Sequence, residues 1–515
     1  MTEQIETPAA APIGRKLESV LPTALFILLL CLWTAGVKVK TPARISAVLT
    51  ILYMLIRRPA QRNVGFPADS ALRILLTVFP ALFCLLVGLH QSAGVFLGEQ
   101  GIDFAVFSQA IRSVAVSGRP ITTLLADRPV DFLTHHFTPI LYPIGWIAAL
   151  GVPAYAVGVL CHTAATAAAL HAAWLICRAT GFSPLNRALL VTLAAVNPGF
   201  RMGLLWGIHD ETFALPVLGY SVFYWVSGRP RAAAGVLCLA ALFKETFLLL
   251  MAWSLPVFWA AAAWENGTAE ARRTARAFLP TALIGLGGAG YYFLLRPHFQ
   301  EVTFDFAARL ATLSELMQTE ALAAKLWYLA TIFVPTLMLS LFSAAGLCLT
   351  ALAAPFLGMS LISNFAEMYA PYNYYAVVPS YLICLGAILT LGRRLNPKTA
   401  LPPAAALLAL CLSFYSDSAA KRPLKTVRRL FTEPLQRPET LDFIPADARV
   451  IASDYDAVFV LDKRQVIRLW VAARLPVAWD RILVRKPPRE EVAPSLLKHA
   501  RPCFENKLWR VLCRR

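Results

Sequence analysis

Charge is what this chain has least of. Of its 515 residues, 15% are Asp, Glu, Lys or Arg and 58% are hydrophobic, where a soluble domain carries about 25% charged residues. That depletion excludes an ordinary soluble enzyme. It leaves a chain built from apolar runs close to the roughly 20 residues that cross a hydrocarbon core. No two of the ten cysteines are spaced CxxC, and most lie inside apolar runs, where Cys acts as a small hydrophobe. The first apolar run has no small-residue cleavage site directly after it, so it reads as a retained helix and not a signal peptide. No internal repeat of the kind many transporters carry is visible. A net charge of +18 invites nucleic acid, but no basic, aromatic-interleaved segment stands out. Lys and Arg cluster instead at helix ends and in the C-terminal tail, as the positive-inside bias and anionic lipid both favour.

What is present reads as an α-helical polytopic membrane protein of about 13 transmembrane helices with a small C-terminal soluble α/β domain. Residues 1–18 form a polar tail expected to be disordered, and 19–70 hold two leading spans at 20–37 and 45–56. Residues 71–415 form the main transmembrane domain, with one external loop at 91–136 and a second at 296–325. Its apolar runs are 71–89, 153–177, 189–200, 213–226, 232–247, 248–264, 278–295, 326–342, 345–362, 374–391 and 401–415. The run 137–150 is short and broken by Pro139 and Pro143, which suits a re-entrant or interfacial segment. The loop 91–136 has three Arg against four acids, so the charge bias puts it outside, the N-terminus in the cytoplasm and the tail beyond the membrane. Residues 416–515 read as an extracytoplasmic α/β domain with strands near 450–452, 466–469 and 482–484, a helix near 490–500 and a terminal hairpin reaching 507–512. That domain has no Gly-rich phosphate loop and no metal-ligand spacing. Cys503 and Cys513 either pair there or stand as two free thiols.

The polar stretch 101–138 interrupts this lipid-adapted chain. Phe104, Phe107, Ile111 and Val114 recur at helical spacing, with Ser108, Gln109 and Arg112 turned the other way. This is the pattern of a helix lying on the membrane with its aromatic side down. Asp103 opens it, either as a first-turn carboxylate favoured by the helix dipole or as a general base at the water interface. His135 and His136 close the stretch; neighbours in sequence, they point about 100° apart on a helix and are poorly placed for one shared metal. His209, Asp210 and Glu211 precede an apolar run, where ionisable groups are costly unless they cap a helix, line water or bind something. They could supply a cation ligand if the outer loops met. Lys244 and Glu245 stand inside an apolar run, either snorkelling at a tight turn or facing a watery cavity, where Lys244 suits a phosphate. Tyr369, Tyr372, Tyr374 and Tyr375 suit an interfacial belt or a grip on a head group.

The order of these landmarks resembles a family. Ile102-Asp103-Phe104 through Gln109-Ala110, His135-His136-Phe137, His209-Asp210-Glu211, Lys244-Glu245 and Tyr372 to Tyr375 look like a bacterial family of unknown function, predicted to be multi-spanning and related to the GT-C glycosyltransferases. The likeness covers about residues 71–515, including the IPADARVIAS opening of the tail. It implies a GT-C-like fold, a polyprenyl-phosphate-linked sugar donor, and an acidic residue in the first large external loop, matched here by Asp103. Paired acids are frequent at that position, and Asp103 stands alone.

The resulting expectation is a glycosyltransferase of the bacterial inner membrane. Asp103, His135 and His136 are its candidate catalytic residues. Gln109, Arg201, His209, Glu211, Lys244, Glu245, Tyr372 and Tyr375 are candidates for substrate binding. Membrane lipid and the lipid-linked donor are the expected partners, the acceptor being a glycan, lipid or protein, with no nucleic acid. No metal site is assigned, and a divalent cation is left open. The alternatives are a transporter or flippase using Lys244 and Glu245 as a coupling pair, and a non-catalytic envelope assembly protein.

Overall fold

The computed structural model describes residues 70–97, 101–125, 128–296, 319–370, 373–394, part of 404–411, 417–432, and the strands with short flanking stretches within 444–514. The expected leading spans at 20–37 and 45–56, most of the last span and nearly all of the second external loop lie outside the described residues.

Helix α1 (Ser70–Phe96) leads to α2 (Ile102–Ser117), a two-residue ladder β1 (Ile121–Thr122) and β2 (Val130–Asp131), and α3 (Leu141–Ala148). The Ala-rich α4 (Ala154–Ala179) follows Pro153 and carries Arg178 in its last turn, a composition of high helix propensity with a cation at the dipole's negative end. Then α5 (Pro184–Val196) and α6 (Pro198–Trp206) meet at a 55° bend. Asn197 explains the bend: it ends α5 and caps α6, its side chain accepting from Phe200 N, while Pro198 at the first helical position cannot continue the α5 ladder. Helices α7 (Asp210–Val226), α8 (Pro230–Cys238) and α9 (Glu245–Gly290) follow, then α10 (Thr319–Phe333) and the pair α11 (Ala344–Leu352) and α12 (Ala354–Ile362). Helix α13 (Val377–Arg394) is buried on every side from Val377 to Leu391, as a helix apolar all round must be.

The expected 13 crossings are not found. Among the described residues four stretches are long and apolar enough to span: Val78–Val95, Ala154–Ala179, Glu245–Leu295 and Tyr374–Arg394. The count reaches six when each bent pair, α5 with α6 and α11 with α12, is taken as one span. The sequence reading overcounts because an apolar run does not report helix length. The runs 213–226 and 232–247, read as crossings, yield helices of 17 and 9 residues. At 1.5 Å per residue these fall short of a core about 30 Å thick.

Helix α9 folds back on itself. Gly267 has φ 81°, which a residue with a Cβ adopts only with strain, and it separates arms 245–266 and 268–290. Phe258 and Phe278 stack across them at 4.4 Å. The arms close onto Gly285, where an added Cβ would lie 2.5 Å from Ala252 N and 2.6 Å from Leu248 O.

The tail forms a five-stranded mixed sheet, order β4-β3-β5-β7-β6, from β3 (Arg449–Ala452), β4 (Gln465–Arg468), β5 (Arg481–Arg485), β6 (Ala500–Glu505) and β7 (Trp509–Arg514). Strand β3 runs parallel to β4 and β5, and β7 antiparallel to β5 and β6. Cys503 and Cys513 are joined by a disulfide across β6 and β7. Alternation divides the sheet's faces. Val450, Ala452, Val466, Leu483 and Val511 join the main core, while Ile451, Ile467, Ile482 and Leu512 pack with Trp479 and Leu496 in a smaller one. The tail therefore shares a hydrophobic core with the helical domain.

Helix α2 also departs from its expected surface position. Ser108 and Gln109 are buried along with Phe104, Phe107 and Ile111; β1 packs on this helix, and Thr122 and Thr123 close on Gln109. Gly285→Val should destabilise the protein by about 1–3 kcal/mol through overpacking of the α9 hairpin. Gly287→Ala, which meets nothing within 4 Å, should not; thermal unfolding in detergent compares the two.

Candidate active site

Two helices begin at the same place. Helix α7 starts with His209 at its cap and Asp210 and Glu211 in its first turn, and α9 with Lys244 at its cap and Glu245 in its first turn. Acids there complement the positive helix ends, but all five side chains are buried, so each needs a partner. Lys244 Nζ donates to Glu211 Oε1 at 2.6 Å and lies 3.7 Å from Asp210 Oδ1. It also sits 5.5 and 5.6 Å from the ring centroids of Tyr374 and Tyr375, within cation–π range. Asp210 Oδ2 accepts from Thr138 Oγ1 at 3.1 Å.

Glu245 turns away from its sequence neighbour. Its Oε1 meets His136 Nδ1 at 2.9 Å and its Oε2 accepts from Phe137 N at 3.1 Å. Lys244 and Glu245 thus serve different partners, at odds with a direct coupling pair. His135 and His136 lie ring to ring at 4.4 Å beside Phe132. The His135 carbonyl accepts from Tyr292 Oη at 3.0 Å, and Leu133 O accepts from Arg296 Nη2 at 2.6 Å. The segment just past α9 thereby pins the stretch from Leu133 to His135.

Asp103 stands at the rim, with 48% of its side-chain surface accessible. Its Oδ2 is 3.9 Å from His209 Nε2, joining residues 106 positions apart in sequence. His209 stacks on Tyr374 at 3.5 Å with a 15° interplanar angle and meets Phe107 edge-on. Its Nε2, and Glu211 Oε2 below, are buried without a hydrogen-bond partner. Buried polar atoms left unsatisfied are costly to keep, and each is a candidate contact for a ligand. Loss of hydration raises the Asp103 carboxyl above its ordinary value. The charges of Lys244, Arg468 and His136 oppose that rise, and Glu211 adds to it. Arg468 comes from β4, delivered by a contact at the sheet edge: Thr123 Oγ1 donates to Val466 O at 2.8 Å and accepts from Val466 N at 2.9 Å.

Of the residues singled out from sequence, Asp103, His136, His209, Glu211, Lys244, Glu245 and Tyr375 meet in this cluster, with His135 beside it. Gln109 does not: it is buried in a bracket where Oε1 accepts from Thr122 Oγ1 at 2.7 Å and Thr123 N at 2.9 Å, and Nε2 donates to Thr123 Oγ1 at 3.0 Å. It holds the loop that carries the tail. Arg201 is buried on α6, the helix packed against the turn Tyr374–Ala376. Tyr372 lies outside the described residues. Arg468, Tyr292, Arg296 and Thr138 were missed. An Arg ending an apolar strand, Gln465–Arg468, was the available signal for the first. For a cation, Asp103 and His209 bring two donor groups together, and no group of three or more His, Cys, Asp or Glu arranged to hold a metal is found among the described residues.

No family model and no curated protein matches the chain, so the family suggested by the motif order is not assigned. Among solved structures the chain is similar to ArnT from Cupriavidus metallidurans bound to undecaprenyl phosphate. That match has 10% identity and a TM-score of 0.49, covering 86% of this chain and 98% of that one. It is similar to the mycobacterial arabinofuranosyltransferase AftD at 14% identity and a TM-score of 0.47, covering 86% of this chain but 40% of that one. The Archaeoglobus fulgidus oligosaccharyltransferase in its apo form matches at 11% identity and a TM-score of 0.44, covering 81% and 70%. The likeness is one of overall fold alone. With TM-scores below 0.5 it carries no argument about reaction or residues, which rest on the site itself.

Lys244→Met should leave two buried carboxylates without their cation and destabilise the protein by about 3–5 kcal/mol. Adding Glu211→Gln should recover part of the loss. The unfolding midpoints of the single and double variants decide it.

Proposed function

We propose that the chain is a membrane glycosyltransferase that moves a sugar from a polyprenyl-phosphate-linked donor to an acceptor hydroxyl at the outer face of a bacterial inner membrane. In this reading the N-terminus is cytoplasmic and the tail extracytoplasmic. The observation that carries it is the placing of Asp103: a half-accessible carboxylate beside the unpartnered His209 Nε2, at the rim of a buried charge cluster in an otherwise apolar bundle. Asp103 takes the acceptor's hydroxyl proton as that oxygen bonds to the anomeric carbon. The anomeric C–O bond to phosphate breaks in the same displacement, the lipid phosphate leaves with the electron pair, and the configuration inverts. Arg468, whose charge reaches Asp103, is the cation placed to hold the leaving phosphate. Lys244, already engaged by Glu211 and Asp210, fixes the cluster, and His136 holds Glu245 in the same way. His209, stacked on Tyr374, forms the wall against which the sugar would rest. A transporter using Lys244 as a coupling cation is the weaker reading, since two carboxylates and two aromatic rings already hold that ammonium.

Asp103→Asn should cut transfer from radiolabelled polyprenyl-phosphate sugars by about 10²–10⁴-fold, the range for loss of a positioned base, without lowering thermal stability. A silent Asp103→Asn, with no donor consumed by either protein, would end the glycosyltransferase reading. The pH dependence follows from the environment of Asp103. The base works as the carboxylate, so the rate falls as pH drops through its pKa, and desolvation places that limb above the ordinary carboxylate value of about 4. Arg468→Gln removes a stabilising positive charge and should move the limb to higher pH; rate profiles of the two proteins measure the displacement.

A further inference from the structure

The end of the bundle remote from Asp103 holds a second feature that the proposed reaction does not use. Helix α7 runs 17 residues from Asp210 to Val226, which carries the chain about 25 Å from the cluster. There, two adjoining cavities of about 640 and 440 Å³ share Gly228, Pro230 and Arg273, each within the usual size of a small-molecule site. The hairpin turn of α9 forms one wall. Arg229, Arg231 and Arg273 line the smaller cavity without an acid among its lining residues. Asn266, Thr274 and Arg393 line the larger, together with Glu265 and Glu270.

The acids are already committed. Glu265 pairs with Arg393 and accepts from Ala345 N, and Glu270 meets Arg273 at 3.5 Å. Four arginines against two acids leave an excess of two positive charges in the joined cavity. The first turn of α8 opens beside it with N–H groups that have no acceptor within the helix. Trp264, 72% exposed on the adjoining turn of α9, sits where interfacial tryptophans mark the headgroup level. The same end of the bundle gathers the basic helix termini, Arg178 closing α4 and Arg394 closing α13.

We infer that this paired cavity binds the phosphate of an anionic phospholipid headgroup in the cytoplasmic leaflet. The phosphate sits among Arg229, Arg231 and Arg273, and the headgroup alcohol reaches Asn266 and Thr274 in the larger cavity. Arginine's planar fork suits a phosphate held by two oxygens. The apolar flank beside Trp264 leaves the acyl chains in the bilayer. The inference is independent of the sugar-transfer reading, because none of its residues belongs to the Asp103 cluster.

Native mass spectrometry of the full chain in detergent tests it, with added phosphatidylglycerol or phosphatidylcholine and inorganic phosphate as competitor. The wild type should retain phosphatidylglycerol in preference. Arg231→Gln with Arg273→Gln should weaken retention by about tenfold per arginine, the fold-change for one lost charged hydrogen bond. Both side chains are exposed, so the unfolding midpoint should hold. Arg428→Gln, exposed on the helix Asp417–Thr432, should change neither property. Competition by inorganic phosphate would assign the phosphate as the recognised group. Phosphate binding with no lipid retained, lost in the double variant, would keep the phosphate site and name free phosphate as its source. Equal retention of both lipids, or full retention of phosphatidylglycerol by the double variant, overturns the inference.

Discussion

A buried charge must find its opposite or leave the interior, and the arrangement around Lys244 follows from that constraint. Its ammonium is 4% exposed in a bundle whose walls are Leu, Phe and Ala. It is tolerable there because Glu211 and Asp210 reach it from the start of α7 and two tyrosine rings face it. Meeting the requirement fixes where two helices begin. Lys244 caps α9 and its carboxylate partners open α7, so one ion cluster sets the relative height of both. The stretch from His136 to Thr138 is registered by the same logic, through His136 and Phe137 N on Glu245 and through Thr138 on Asp210. Asp103 is aimed by what lies behind it: the buried face of α2 and the His209 ring wedged between Phe107 and Tyr374.

The tail is tied into the same scheme. A single hydroxyl, Thr123 Oγ1, satisfies both the N–H and the C=O of Val466. These are edge-strand groups that would otherwise need water or another strand. Gln109 holds that hydroxyl from below. The alternate residues of four strands then seal the sheet onto the helical core.

Much of the site was legible because ionisable residues in an apolar chain are conspicuous: Asp103, His209, Lys244 and Glu245 are costly where they stand, whatever they do. Their pairing was not legible. Adjacent residues at a helix start diverge, so Lys244 and Glu245 took separate partners, and the approach of Asp103 to His209 depends on how α2 packs. Gln109 read as a binding residue because its face looked open, and nothing in the pattern showed that Thr122 and Thr123 fold back onto its amide. Arg468 escaped notice in a segment whose strand pattern was plain and whose docking was not. The strands near 450, 466 and 482 were readable from β-branched runs bounded by turn residues. The spans were overcounted for the converse reason: hydropathy does not report helix length, so 213–226 and 232–247 read as crossings although their helices run 17 and 9 residues, and Pro198 starts a new helix inside the run 189–200.

The junction between Thr123 and Val466 spans 343 positions of sequence, which has a consequence for biosynthesis. A ribosome adding about 5–20 residues per second needs roughly 17–70 s to travel from one to the other. Throughout that interval Thr123 has emerged without the strand edge it bonds, and Asp103 lacks the arginine whose charge holds its carboxyl pKa down. Chemistry that needs both cannot begin on a nascent chain. The order of synthesis therefore acts as a timer, leaving the Asp103 carboxyl outside its final electrostatic setting until the polypeptide behind it has been made.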